Sequence, residues 1–309
     1  MHLLVGAITI GLILALLGLG VFVSYRIYRT LDLTVDGSFG LGAAVAAALL
    51  VAEVHPLPAT AFATLAGVAA GAVTGLLHTG FGIQVLLAGV LTSTALYSVN
   101  LFVMGSGNLS LTSAETLVGL ADRAGQRLLG LPPSLTLFGA TLSSSTIATL
   151  LLMLVLAAGL ALLLALFLGT HLGSAMRAAG NNPQMARAVA IDVDRMVILG
   201  LGLSNGLVAL SGALFAQFQG FSNIQLGIGA LVMGLANLMV GESLLGRQRL
   251  GRWIAGAVVG AVVFRLLVAG AVRAGLDPNA LKLVTAVLVL GVLVLPQLAR
   301  RPRAAVAGV

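Results

Sequence analysis

The chain has no cysteine, a single lysine among 309 residues, and only 8% charged residues of either sign. Without cysteine there can be no disulfide, thiol nucleophile or thiolate metal site. The lone lysine, Lys282, stands in "LK". That is not the GxxxxGK[ST] pattern that cradles a nucleotide phosphate, so the chain cannot split ATP by that route. Ordinary soluble domains are roughly 25% charged, and a chain with a mean hydropathy of +1.12 cannot be a soluble globule. The four histidines, His2, His55, His78 and His171, fall singly near segment ends, with no HExxH spacing. "SSST" at 143–146 has no His or Asp motif beside it and reads as a helix start. No catalytic constellation and no metal site is expected. The net charge of +7 does not point to nucleic acid, because most of the arginines lie in short loops between apolar runs.

What the chain has instead is apolar length and glycine, 40 of it, a residue frequent in membrane helices. Apolar segments at 3–23, 34–52, 57–77, 81–104, 146–168, 195–219, 224–241, 253–272 and 282–298 are each of spanning length or close to it. The fold class is an all-α polytopic membrane protein with about nine transmembrane segments, in a range of roughly eight to ten. No long polar linker divides it, so residues 1–309 form one domain. The N-terminal run lacks a basic flank and a cleavage site, and reads as a retained first span.

The second span is the weakest. Asp36 or Ser38 can cap a helix ending near Ala52, only about 21 Å long. A hydrocarbon core is about 30 Å thick, so the preceding "LTV" is expected to be extended and the span discontinuous. Orientation follows from arginine. With 171–195 placed in the cytoplasm, eleven basic residues fall inside: Arg26, Arg29, Arg177, Arg187, Arg195, Arg247, Arg249, Arg252, Arg300, Arg301 and Arg303. Four fall outside, namely Arg123, Arg127, Arg273 and Lys282. This bias puts the C-terminus in the cytoplasm.

Two polar segments interrupt the apolar pattern. The outer segment 105–145 contains "SAETLVGLADRAGQRLLG", with Ser113 as the expected cap, Glu115 in the first turn, and Leu117, Leu120, Ala121, Ala124 and Leu128 on one face. It predicts an amphipathic helix, lying on the bundle or contacting an external partner. The segment 171–194, "HLGSAMRAAGNNPQMARAVAIDVD", predicts two short helices around a tight turn. Gly180 is expected to end the first in a left-handed conformation; Asn182 caps the second and Pro183 fills its first turn. Met176, Ala179, Met185 and Val189, flanked by Arg177 and Arg187, offer an apolar surface for a partner's groove. The segment reads as a socket for a separate protein.

"GSAMRAAGNNPQMARAVAID" resembles the cytoplasmic coupling segment of ABC importer permeases, in the branch that contains branched-chain amino acid, ribose and nucleoside permeases. "LDLTVDGSFGLGAAVAA", "LTSTALYSVNLFVMGSGNLSL", "LSNGLVALSGALFAQFQGFSNIQLGIG" and "LDPNALKLVTAVLVLGVLVLP" resemble that branch too, in order. They are especially similar to a subgroup tied to amino-acid uptake, aromatic amino acids included. The resemblance implies a homodimer in a bacterial plasma membrane, two cytoplasmic ATPases that bind ATP and Mg, and an external substrate-binding protein. It implies ATPase docking through Arg177, Ala178, Ala179, Gly180, Asn181, Asn182, Pro183, Gln184, Met185 and Arg187. This chain itself would carry no cofactor.

Candidate translocation residues are Asp36, Gly37 and Ser38 at the break before the second helix, Asn205 and Gln217 in the sixth span, and Arg265 in the eighth. Each has a second reading. Asp36 can be an interfacial cap, and Asn205 and Gln217 can hydrogen-bond neighbouring helices. Arg265 can pair with Glu53 instead of drawing in a substrate carboxylate. Glu242 is expected to pair with Arg247 or Arg249. "GLGAAV" (40–45) echoes "GIGALV" (227–232) five spans later, as an inverted repeat would. A stand-alone secondary transporter or channel is the alternative. Ion-coupled carriers need midplane carboxylates or histidines, and only Asp36 and Arg265 come close.

Overall fold

In the computed structural model, residues 2–128, 134–137, 140–246 and 250–275 are described, with single positions at 283, 287, 290 and 291. The long helices are α1 (His2–Phe22), which runs on into a π-helical turn at Val23–Ile27, α2 (Thr34–Val51), α3 (Pro56–Phe81) and α4 (Val85–Met104). Then come α5 (Leu117–Leu128), α6 (Ser144–Gly169), α7 (His171–Asn181), α8 (Pro183–Ala188), α9 (Val193–Gln219), α10 (Ala230–Leu245) and α11 (Leu250–Arg273). Short strands β1 (Asn108–Ser110) and β4 (Phe221–Asn223) pair antiparallel, as do β2 (Ser134–Leu137) and β3 (Ala140–Ser143). Seven described helices are long and apolar enough to cross a membrane, and α10, with 16 residues, is shorter but apolar. Eight of the nine expected segments therefore coincide with helices, as an apolar backbone that must satisfy its own hydrogen bonds requires. The ninth, 282–298, lies outside the described residues apart from single helical positions.

The bundle is organised around α9, which packs on α1, α2 and α3. Close approach explains much of the glycine. A Cβ on Gly42 of α2 would overlap the Ala209 carbonyl of α9, and one on Gly212 of α9 would overlap the Phe39 carbonyl of α2. Reciprocal glycines thus let these two backbones touch, the usual device where helices pack without a hydrophobic driving force. The main core joins Leu16, Leu19 and Phe22 of α1 to Met153 and Leu168 of α6, Leu214 of α9 and Met176 of α7. In contrast, α3, α4 and α6 turn wide apolar faces outward, with Phe62, Phe81, Phe102, Val155 and Leu163 exposed.

Several expectations need correction. The second helix begins at Thr34, so "LTV" is not extended; the non-helical stretch is Tyr28–Leu33. Leu33 holds the N-cap position, and Asp32 just before it supplies the side-chain acceptor, its Oδ1 taking the Thr34 N–H at 2.9 Å. Gly180 does not end α7 in a left-handed turn: the helix continues through Asn181, and Gly180 is absent from the positive-φ glycines. Its reason is proximity, since a Cβ there would overlap the Ile27 carbonyl at the end of α1. The amphipathic helix starts at Leu117, not after Ser113, because the Leu117 N–H is accepted by Gln217 Oε1 at 2.9 Å and Glu115 is engaged with Arg123.

Candidate functional site

Two groups of predicted residues come together at different depths. At one end of the bundle sits the α7–α8 knuckle. Thr170 Oγ1 caps α7 through the Gly173 N–H at 3.2 Å, and Asn182 Oδ1 caps α8 through the Met185 N–H at 3.0 Å, with Pro183 in the first turn as expected. Met176 and Ala179 are buried against the bundle, so they belong to the core and not to a partner-facing surface. Ala178 and Gly180 are half-buried on the same side. The outward face carries Arg177, Asn181, Asn182, Pro183, Gln184, Met185 and Arg187, all exposed, with Val189 beside them. Arg187 reaches Asp194 at 3.3 Å, but both are largely in solvent, so that pair contributes little.

The knuckle is fastened to the chain leaving α1. Gly180 lies on Ile27, and the Arg29 guanidinium donates to Asn181 Oδ1 at 2.8 Å. Arg29 itself has a left-handed φ of 55°, a conformation a non-glycine residue holds only when its surroundings fix it. Next to it, Tyr28 donates its hydroxyl to the Met196 carbonyl of α9, and its ring fills the space beside Gly200. Burial raises the Tyr28 phenol well above its ordinary range, so it stays a donor. At the same end, Arg26 grips the Glu242 carboxylate of α10 in a bidentate pair, with Glu242 almost fully enclosed. The expected partners of Glu242, Arg247 and Arg249, lie outside the described residues.

From Tyr28 the chain climbs to Asp32, which is fully buried. Its Oδ2 accepts from Asn205 Nδ2 at 2.7 Å. Asn205 is twelve residues into the 27-residue α9, roughly 18 Å along the helix, so Asp32 lies near mid-depth. Thr34, Thr74 and Thr92 continue the polar chain across α2, α3 and α4, at 2.7 and 3.0 Å. Asp36, expected to cap its own helix, instead caps another: its carboxylate accepts the N–H groups of Gly229 at 3.2 Å and Leu231 at 2.8 Å, at the start of α10. A carboxylate there satisfies two free donors and matches the positive end of the helix dipole. The N-termini of two short helices, α2 and α10, therefore meet inside the bundle, each held by an aspartate.

The remaining candidates separate. Gly37 packs on Ser93 and Leu96 of α4, and Ser38 is buried with its hydroxyl unpaired among the described residues. Gln217 is a clamp at the end opposite the knuckle, binding the α5 N-terminus and, through Nε2, Thr60 Oγ1 at 2.9 Å. Arg265 lines two cavities in α11 and forms no ion pair with Glu53 among the described residues, against that expectation. Sequence reasoning did not single out Asp32 as a cap, or Arg26 as the partner of Glu242. "DLT" ahead of an apolar run carried the first signal; nothing local carried the second. No group of three His, Asp or Glu residues able to hold a metal occurs among the described residues.

The fold is that of a polytopic helical bundle, with buried polar groups near the middle of α9 and a capped helix pair at one end. The sequence pattern of the family described as "Branched-chain amino acid transport system / permease component" matches residues 3–295, and the chain belongs to that family. It is thus a permease of the ABC-importer type. The chain is 35% identical over 290 residues to a tyrosine transport system permease protein of Clostridioides difficile, covering 94% of this chain and 90% of that one. It is 30% identical over 288 residues to an uncharacterized protein of Rickettsia prowazekii, covering 92% and 94%. An autoinducer 2 import system permease protein of Yersinia enterocolitica is 29% identical over 252 residues, covering 81% and 62%. No solved structure matches the chain.

Proposed function

We propose that two copies of this permease form the membrane pathway of an importer that takes up a small solute, an amino acid or similar, from an external binding protein. In this reading the exposed face of the α7–α8 knuckle receives a cytoplasmic ATPase on each copy. The ATPases, not this chain, bind ATP and Mg. The knuckle end is then cytoplasmic, the α5 end external, and the segment 282–298 supplies a ninth span that leaves the C-terminus inside a bacterial plasma membrane. The second span is discontinuous in the sense that Tyr28–Leu33 reaches mid-depth before α2 begins. Asp36, Gly37, Ser38, Asn205 and Arg265 border the pathway, and Gln217 braces its outer end.

The observation that carries the reading is the seating of the knuckle. Gly180 and Asn181 hold the end of α1, and the same stretch of chain runs on to Asp32 and the mid-depth helix ends. A partner that pushes on α7 therefore pushes on the segment that positions α2. The permease purified with its ATPase subunits and placed in vesicles with its binding protein should accumulate solute only when ATP is supplied. Uphill uptake by this polypeptide alone, driven by a proton or sodium gradient, overturns the reading.

A further inference from the structure

We infer that the cavity beside Arg265 is the point in the pathway that recognises a solute with one carboxylate and an apolar or aromatic side chain. This rests on the importer reading and assigns a residue and a substrate chemistry to it. Arg265 is the sixteenth of 24 residues in α11. It forms a wall shared by two recesses. One opens between the start of α1 and the end of α11, past Leu3, Ile10, Val268 and Val272, with a volume of about 350 Å³. The other lies deeper, among Leu14, Phe39, Phe215, Ile228 and Met233, and is a constriction of only about 50 Å³. In the importer orientation the first faces outward, and a solute moving inward passes from one to the other alongside this guanidinium.

The charge balance makes Arg265 distinctive. The two helix N-termini near the deeper recess already have carboxylates, Asp32 for α2 and Asp36 for α10. None of the acidic side chains in described ion pairs reaches Arg265. A cation within a span, which Arg265 is without an ion-pair partner among the described residues, costs about 2.5–3.5 kcal/mol, and such residues are retained where they face a path or a cavity. An arginine offers a planar fork that fits a carboxylate with two parallel hydrogen bonds. Beyond it the wall is apolar, with the Phe39 and Phe215 rings 5.7 Å apart and tilted at 55°. Ile228 and Ala230, on that wall, flank the backbone that Asp36 holds in place. The outer recess therefore attracts a small anion or zwitterion and covers its side chain with hydrocarbon while repelling inorganic cations, and the inner one must widen for the solute to pass.

Because the chain has no cysteine, one introduced thiol is the only one on the permease, and its labelling is read on the permease band. Ile228→Cys, assembled with the ATPases in vesicles, is treated with small thiosulfonates of equal size, one anionic and one cationic. The anionic reagent should react about tenfold faster, reflecting the local potential. Arg265→Gln should abolish that preference and Arg265→Lys should retain it. Met233→Cys is the second reporter should Ile228→Cys fail to assemble. Equal rates in the Arg265 background, or a preference that survives Arg265→Gln, overturn the assignment. In parallel, uptake of radiolabelled tyrosine and phenylalanine should fall at least tenfold in Arg265→Gln. If vesicles with Arg265 take up no carboxylate-bearing solute, the amino-acid reading falls together with this one. Uptake that Arg265→Gln leaves unchanged removes this assignment alone.

Discussion

Gly180→Val is the most demanding test of how the knuckle is held. A Cβ at Gly180 would overlap the Ile27 carbonyl and approach the Tyr28 backbone. A backbone carbonyl cannot rotate out of the way as a side chain would, so α7 must move off α1. Overpacking of this kind costs about 1–3 kcal/mol. Moving α7 also breaks the exposed Arg29–Asn181 hydrogen bond, worth about 0.5–1.5 kcal/mol. The better helix propensity of a non-glycine residue offsets up to about 1 kcal/mol. The balance, about 0.5–4.5 kcal/mol with a centre near 2.5, corresponds to a roughly twofold to 2,000-fold weaker seating of the knuckle. Gly159→Ala is the control, because Gly159 in α6 has open space where its Cβ would go. The assay is retention of the ATPase subunits on affinity-purified permease, with solute-dependent ATP hydrolysis measured on the same samples. Gly159→Ala should match the parent. Gly180→Val should lose the ATPase, or keep it without solute-dependent stimulation, while eluting as a monodisperse species. If Gly180→Val holds the ATPase and is stimulated like the parent, the contact with Ile27 does not seat the knuckle and the coupling route through Tyr28–Leu33 is wrong.

Three further outcomes are expected. Glu242→Ala strands the Arg26 guanidinium in a largely enclosed site and should lower stability by about 3–5 kcal/mol, seen as a large drop in Tm, whereas Arg26→Met with Glu242→Met should recover most of it. Asp36→Ala frees two N–H groups at the α10 start and should cost about 1–3 kcal/mol, with hydrogen exchange accelerated at Gly229 and Leu231 and Asp36→Asn intermediate. Asn182→Ala removes the α8 cap, at about 1 kcal/mol, and should speed proteolysis of the knuckle without altering the spans.

Sequence-local features were legible and long-range ones were not. The spans could be placed because a run of apolar side chains in lipid allows little besides helix. Asn182 and Pro183 could be read because a cap acts over three residues. Gly180 was misassigned because the backbone that demands a glycine, Ile27, lies 153 positions earlier in the chain. The same applies to Asp36, whose partners are 193 and 195 residues away, and to Arg26 and Glu242, 216 apart. The start of α5 shifted to Leu117 because its first free N–H goes to Gln217, a hundred residues on. In a membrane bundle a polar group has few partners, and those partners lie on neighbouring helices, so helix-to-helix geometry decides its role.

The length of α9 has one mechanical consequence. Near its first turn it holds Tyr28 through Met196 and Gly200, and two residues before its last it holds the start of α5 through Gln217. These attachments are separated by roughly 30 Å of continuous helix. Tilting this rod about its middle, where Asn205 grips Asp32, swings its two ends in opposite directions like a seesaw. News of an arrival on one face of the bilayer can thus reach the other without the cargo having moved.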